Sequence, residues 1–299
     1  MNGELAQIVS LVAHGNSFLN GEDVDLSSNS TFQYVSSIKF ARYKSNQDTQ
    51  GVEVANSVSD WFSFLRSKKV TRLWNIAFGW QRQDIPEHAA DAFSGGVPRA
   101  IQADLPKGFE LWYPQWKTGG QDKNKPWLIE YRSLIFPNSH VLPIQKMSAV
   151  KNQLRQAVLQ AEKFAKRSDV NASKWATWFT KSLEILDSPT PTAPFHSDML
   201  PESGFSLEAR QVLASAAQSY VFGGMGSWND MGFEKPEINK EYDRVTKELY
   251  EAVKLAIVMA SNSFALKELK SAQQSVHPTG GILRGFQAFF KPRKNPDSK

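Results

Sequence analysis

The residues best placed to do chemistry gather in one stretch, Val221-Phe222-Gly223-Gly224-Met225-Gly226-Ser227-Trp228-Asn229-Asp230-Met231-Gly232-Phe233. Four glycines within ten residues permit left-handed or crowded backbone. Trp228 supplies a large amphipathic ring, and Asn229 and Asp230 form turns and also serve as ligands. A glycine-rich turn carrying an aromatic anchor and a carboxylate suits a ligand or a partner. Gly223, Gly224, Gly226, Ser227, Trp228, Asn229 and Asp230 are therefore the candidate binding residues, with Trp228 and Asp230 expected on the surface beside an apolar patch. The competing reading is structural. In it the glycines end one helix and begin the next, Trp228 and Phe233 plug a bundle, and Asp230 accepts backbone N–H groups. The stretch is not a phosphate loop, because it lacks the Gly-Lys-Ser/Thr ending, and Gly226-Ser227-Trp228 does not complete a nucleophile elbow.

Beyond this loop the catalytic inventory is thin. The five histidines, His14, His88, His140, His196 and His277, form neither His-x-x-x-His nor His-Glu-x-x-His. His196-Ser197-Asp198, with Glu202 nearby, has the residue types of a metal site but not its spacing, and reads as loop polarity. No metal and no cofactor are expected. His88, among Asp84, Glu87 and Asp91, reads as the solvated face of a short helix. A hydrolase would need Asp230 and a histidine such as His88 or His196 to converge in a pocket. A carbohydrate-active site would draw on Glu110 and Glu130 beside Trp112, Trp116 and Trp127. Strand alternation is expected to put those carboxylates toward solvent and the rings, with Trp74 and Trp80, on the inner face of a hairpin.

The elements that must carry these residues change character along the chain. The first half reads as mixed: a short amphipathic helix over Leu5–Ala13, a strand within Thr31–Tyr43, a helix over Val58–Lys69 and a strand over Thr71–Trp80. Next comes an irregular segment from Gln81 to Lys107, with a short helix near Pro86–Phe93. Two aromatic strands follow, Phe109–Trp116 and Trp127–Phe136, joined by a polar loop. The second half is helical by spacing over Ile144–Arg167 and Ala172–Leu186. A Pro-rich connector, Ser188–Pro194, reads as extended linker. Ser206 caps a helix running to about Phe222, and Pro236 opens a long last helix whose apolar residues step by four and three. The expected class is α+β: residues 1–143 hold a small, largely antiparallel aromatic-rich sheet, 144–283 hold about four helices, and 284–299 form a basic, disordered tail.

The chain has 299 residues, 41% of them hydrophobic and none of them cysteine. That composition fits a globular protein and removes thiol nucleophiles and thiolate metal sites. The first 144 residues balance 14 Lys/Arg against 14 Asp/Glu, while the last 16 carry five against one. The tail thus carries +4 of the net charge of +5, and nucleic acid is not the expected partner. No stretch is long and apolar enough for a membrane span, and Met1-Asn2-Gly3-Glu4 lacks the positive segment of a secretory signal. The resulting expectation is a soluble, bacterial-type cytoplasmic binding protein acting through protein–protein contact, in one form an inhibitor or immunity-type protein. The alternatives are the Asp/His hydrolase, a carbohydrate-binding or carbohydrate-cleaving protein, and a helical scaffold with a basic tail.

Overall fold

The computed structural model describes residues 1–45, 47–78, 84–93, 96–137 and 145–264. Its class is α+β. One sheet of six strands lies in the first half and four long helices make up the second. The basic tail, Trp80, His140 and His277 lie outside the described residues.

The strands are β1 (Val35–Arg42), β2 (Val52–Ala55), β3 (Arg72–Ala77), β4 (Arg99–Asp104), β5 (Phe109–Thr118) and β6 (Trp127–Phe136). They run in the order β2-β1-β6-β5-β4-β3. Every neighbouring pair is antiparallel except β1 with β6, which is parallel. The hairpin of β5 and β6 keeps one register from Phe109 opposite Phe136 to Thr118 opposite Trp127, closed by the expected polar loop. Two strands were not anticipated. Val52–Ala55 is only four residues long, and Arg-Ala-Ile-Gln-Ala-Asp, which forms β4, has little β-branched or aromatic character. β4 sits between β3 and β5 and is buried almost throughout, so its small alanines suit a crowded position.

The helices are α1 (Gly3–Leu19), α2 (Val58–Ser67), α3 (Glu87–Ala90), α4 (Met147–Ala165), α5 (Ser173–Asp187), α6 (Leu207–Gln218) and α7 (Pro236–Ser261). The caps act as expected: Ser206 Oγ accepts the Ala209 N–H, and Pro236 stands in the first turn of α7. The first helix corrects its expectation. It is not a short amphipathic surface helix but a 17-residue helix buried on every side. Leu5, Ala6 and Val9 enter the core of the helical half. Ile8, Leu11 and Val12 enter the core under the sheet with Phe40, Trp61, Trp112 and Tyr131. A helix apolar all round belongs inside a protein. The α7 end is fastened to β3, where Asn75 N–H donates to Asn262 Oδ1 at 2.7 Å and Asn262 Nδ2 donates to the Asn75 carbonyl at 3.0 Å. Among the described residues no helix is long and apolar enough to cross a membrane.

Candidate functional site

The glycine-tryptophan loop follows α6, and its ring points inward. Trp228 is fully buried, which overturns its expected surface position. Its indole Nε1 donates to Thr246 Oγ1 at 2.7 Å, and its carbonyl accepts the Tyr242 hydroxyl. Phe164, Trp175, Phe179 and Tyr242 surround the ring. Trp228 therefore plugs the junction of α4, α5 and α7, as the structural reading held, and cannot be a partner's first contact. Asp230 is exposed, and its carboxylate accepts the Gly226 N–H at 2.8 Å, closing the turn. Gly226 is the one loop glycine with a left-handed backbone, φ +79°; Gly224 and Gly232 have open space where a Cβ would stand. Ser227 Oγ donates to the Gly223 carbonyl at 2.9 Å.

The same loop forms one edge of a surface cleft of about 500 Å³. Gly223 and Ser227 line it, so two of the seven candidate residues reach it. Its walls are Trp175 and Trp178 on α5, one turn apart, with Tyr220 and Phe222 on the segment leaving α6. Trp178 is fixed by donating its indole N–H to the Gln218 carbonyl, and Phe222 meets Tyr250 edge-on at 5.0 Å. Half-buried Met1, Asn2 and Ala92 and exposed Lys174 complete the lining. The cleft is mostly apolar, with few polar groups, which is the make-up of a small-ligand site. The sequence signal available for it was the pair Trp175 and Trp178, one turn apart beside the buried positions Ala176, Phe179, Ser182, Ile185 and Leu186 of α5.

Under the cleft floor lies a charged cluster that sequence reasoning misplaced. Asp91, expected on a solvated face, is buried and ion-pairs with buried Arg99. The Tyr220 and Tyr250 hydroxyls donate to Asp91 Oδ2 at 2.6 and 3.1 Å, and Asn2 Nδ2 donates to the Asp91 carbonyl at 3.1 Å. Lys254 bonds Glu87 at 2.5 Å alongside. Burial works against the charge of Arg99, but the Asp91 carboxylate more than offsets it and holds the guanidinium protonated. Burial, and then the Asp91 charge, push both tyrosine hydroxyls well above their ordinary range. These tyrosines stay protonated and are donors, not bases. Tyr220 is the bridge, since it lines the cleft and bonds the cluster.

None of the described histidines, His14, His88 and His196, bonds Asp230. His88 Nδ1 bonds Asn229 Oδ1 at 2.9 Å, and Asn229 Nδ2 donates to the His88 carbonyl at 2.9 Å, so Asn229 tethers the loop to α3. His196 Nδ1 lies 2.9 Å from Ser30 Oγ, which is also 2.5 Å from Asp198 Oδ1, while the Ser30 N–H donates to Asp198 Oδ2 at 2.7 Å. Here serine stands between histidine and carboxylate, whereas acyl transfer needs histidine in the middle. Burial pushes His196 down despite the nearby Asp198 charge. Burial raises the Asp198 carboxyl, but the Ser30 hydroxyl and amide outweigh it and hold the group below its usual range. The cluster clamps the connector after α5 onto the segment before β1. Among the described residues no three His, Asp or Glu side chains are grouped to hold a metal.

The paired-carboxylate expectation is also corrected. Glu110 is fully buried, not solvent-facing: it accepts the Arg42 guanidinium at 2.8 Å through both oxygens and the Ser133 hydroxyl at 2.6 Å. Glu130 accepts Tyr43 at 2.6 Å and Arg132 at 3.0 Å. Glu110 pairs with Ile135 and Glu130 with Gln115, five positions apart on each strand, hence on opposite faces. At about 3.3 Å per residue they are separated by about 16 Å, beyond either glycosidase spacing.

Comparison of the chain with protein-family models, curated proteins and solved structures finds no match in any of the three.

Proposed function

We propose that this is a binding protein that takes a flat, largely apolar group into the cleft between α5 and the loop after α6. The observation that carries this reading is the placement of Trp175, Trp178, Tyr220 and Phe222 around an accessible space of about 500 Å³. Trp175 and Trp178, carried on α5, can hold a guest without reorganising. The test uses the uncharged fluorophore N-phenyl-1-naphthylamine. Saturable binding at one site, removed by Ala92→Phe in a variant with an unchanged circular dichroism melt, is the expected result. No saturable binding, or binding indifferent to Ala92→Phe, overturns the reading.

One observation favours a protein as the source of that group. Met225 is 96% exposed between cleft-lining Gly223 and Ser227, and Phe93 is 69% exposed next to cleft-lining Ala92. A rim of large apolar side chains around an aromatic pocket is the pattern of an interaction hot spot. This keeps the expected interaction protein, including its inhibitor or immunity-type form in the cytoplasm, but moves the contact from Trp228 to Met225 and Phe93. A stoichiometric partner captured by the wild type and lost with Met225→Ser plus Phe93→Ser supports it, and capture unchanged by that pair rejects it.

A further inference from the structure

Resting on the cleft reading, we propose that the cleft selects small aromatic carboxylates, with the ring between Trp175 and Trp178 and the anion on Lys174. Charge at the site is one-sided. Lys174 is exposed in the cleft lining, with its Nζ 5.0 Å from the centre of the Trp175 ring, and among the described residues it makes no ion pair. The nearby carboxylates are already engaged. Asp91 lies beneath the floor and holds Arg99, Tyr220 and Tyr250, while Asp230 is turned to the Gly226 N–H. Among the described lining residues Lys174 is the one charged side chain, and no carboxylate lines the cleft.

The Asn2 amide in the cleft lining is also committed. The amide of Asn2 accepts the Leu5 N–H through Oδ1 and donates through Nδ2 to the Asp91 carbonyl. A carboxylate pushed to the floor would lose its water and would approach the buried Asp91. The apolar ring must go in first and the charge must stay out. Lys174 begins the turn that holds Trp175 and Trp178, so its reach fits an acid group one or two bonds from the ring. The first turn of α5 contains no acidic residue and its Ala172 cap makes no side-chain hydrogen bond, so the helix dipole adds to the same preference.

The matched pair 2-naphthoate and 2-naphthamide tests this by calorimetric titration of the full chain. The wild type should bind the acid about fivefold tighter than the amide, the size expected of one partly exposed charge pair. Lys174→Gln should abolish that preference with amide binding intact, Lys174→Glu should reverse it, and raising the salt should erode it in the wild type only. Ala92→Phe should block both compounds. Equal affinities in the wild type, with both blocked by Ala92→Phe, would overturn the anion preference and leave the cleft reading standing. A preference that persists in Lys174→Gln would remove Lys174 from its role. Failure of both compounds to bind would overturn the cleft reading itself.

Discussion

Two aromatic assemblies in this protein use similar residues to opposite ends. Under the sheet, Phe40 stacks on Trp61 at 4.5 Å and on Tyr131 at 5.2 Å, and Trp112 meets Trp61 edge-on at 5.6 Å. All four rings are sealed, and the indole N–H groups of Trp61 and Trp112 find no acceptor among the described residues. In the helical half, Trp178 and Trp228 each donate to a named acceptor, and the rings of Trp175 and Trp178 keep one side uncovered. The first assembly is held by contact area, at the cost of two unmet donors. In the second a directed bond holds Trp178, so its ring stays in place without being enclosed, while Trp228 is both bonded and sealed. Aromatic content alone therefore does not mark a site; rings fixed in position yet still accessible do.

The largest effects should come from breaking closed structure. Trp61→Ala should destabilise the protein by about 3–5 kcal/mol in urea unfolding, through lost transfer energy and a residual cavity. Asp91→Asn should cost a similar amount, about 3–5 kcal/mol, because it leaves Arg99 charged and buried without its counter-ion. Trp178→Ala should cost only about 1–2 kcal/mol and yet abolish binding of the apolar fluorophore. If it unfolds the protein as readily as Trp61→Ala, the contrast between the assemblies fails.

The polar contacts divide in the same way. Arg99, Tyr220 and Tyr250 are all held protonated and do not titrate near neutrality. The half-buried clamp does. Burial lowers His14, against its bond to the Asp198 carbonyl, and also lowers His196, both from 6.5. A lowered folded pKa means that the unfolded chain binds more protons below 6.5. Their contribution is full above that value and is lost as the pH falls through the folded pKa values. The melting temperature should therefore drop between pH 7.5 and 5.5, and His14→Gln with His196→Gln should flatten that slope; an unchanged slope would show that the clamp is not the titrating element. The smallest effect belongs to Met225→Ser, which should stay within about 0.5 kcal/mol of wild-type stability because its side chain packs on nothing.

Much of the architecture was legible because period and caps acted together. The apolar steps along α4, α5 and α7, the Ser206 cap and the aromatic run of β6 are local signals, and local signals survive folding. β4 escaped because its burial comes from the strands on both sides and not from its own residues. The loop drew attention for composition, but composition does not fix which way a ring turns. Trp228 faces inward because Thr246 and Tyr242, which come later on α7, supply its bonds. Asp91 was misread for the same reason: Arg99, Tyr220 and Tyr250 reach it from three other elements. Glu110 likewise meets its Arg42 only when β1 joins β6.

The all-round burial of α1 also governs how the molecule must assemble. One side of that helix is covered by the sheet and the other by α7 and its neighbours, so neither core is complete until both are. The latch between Asn75 and Asn262 spans 187 residues. On a ribosome the helix would emerge long before its last covering segment, leaving Leu5, Val9 and Ala13 wet in the meantime. Neither core can close around the helix before α7 arrives, and contacts of such long separation slow folding.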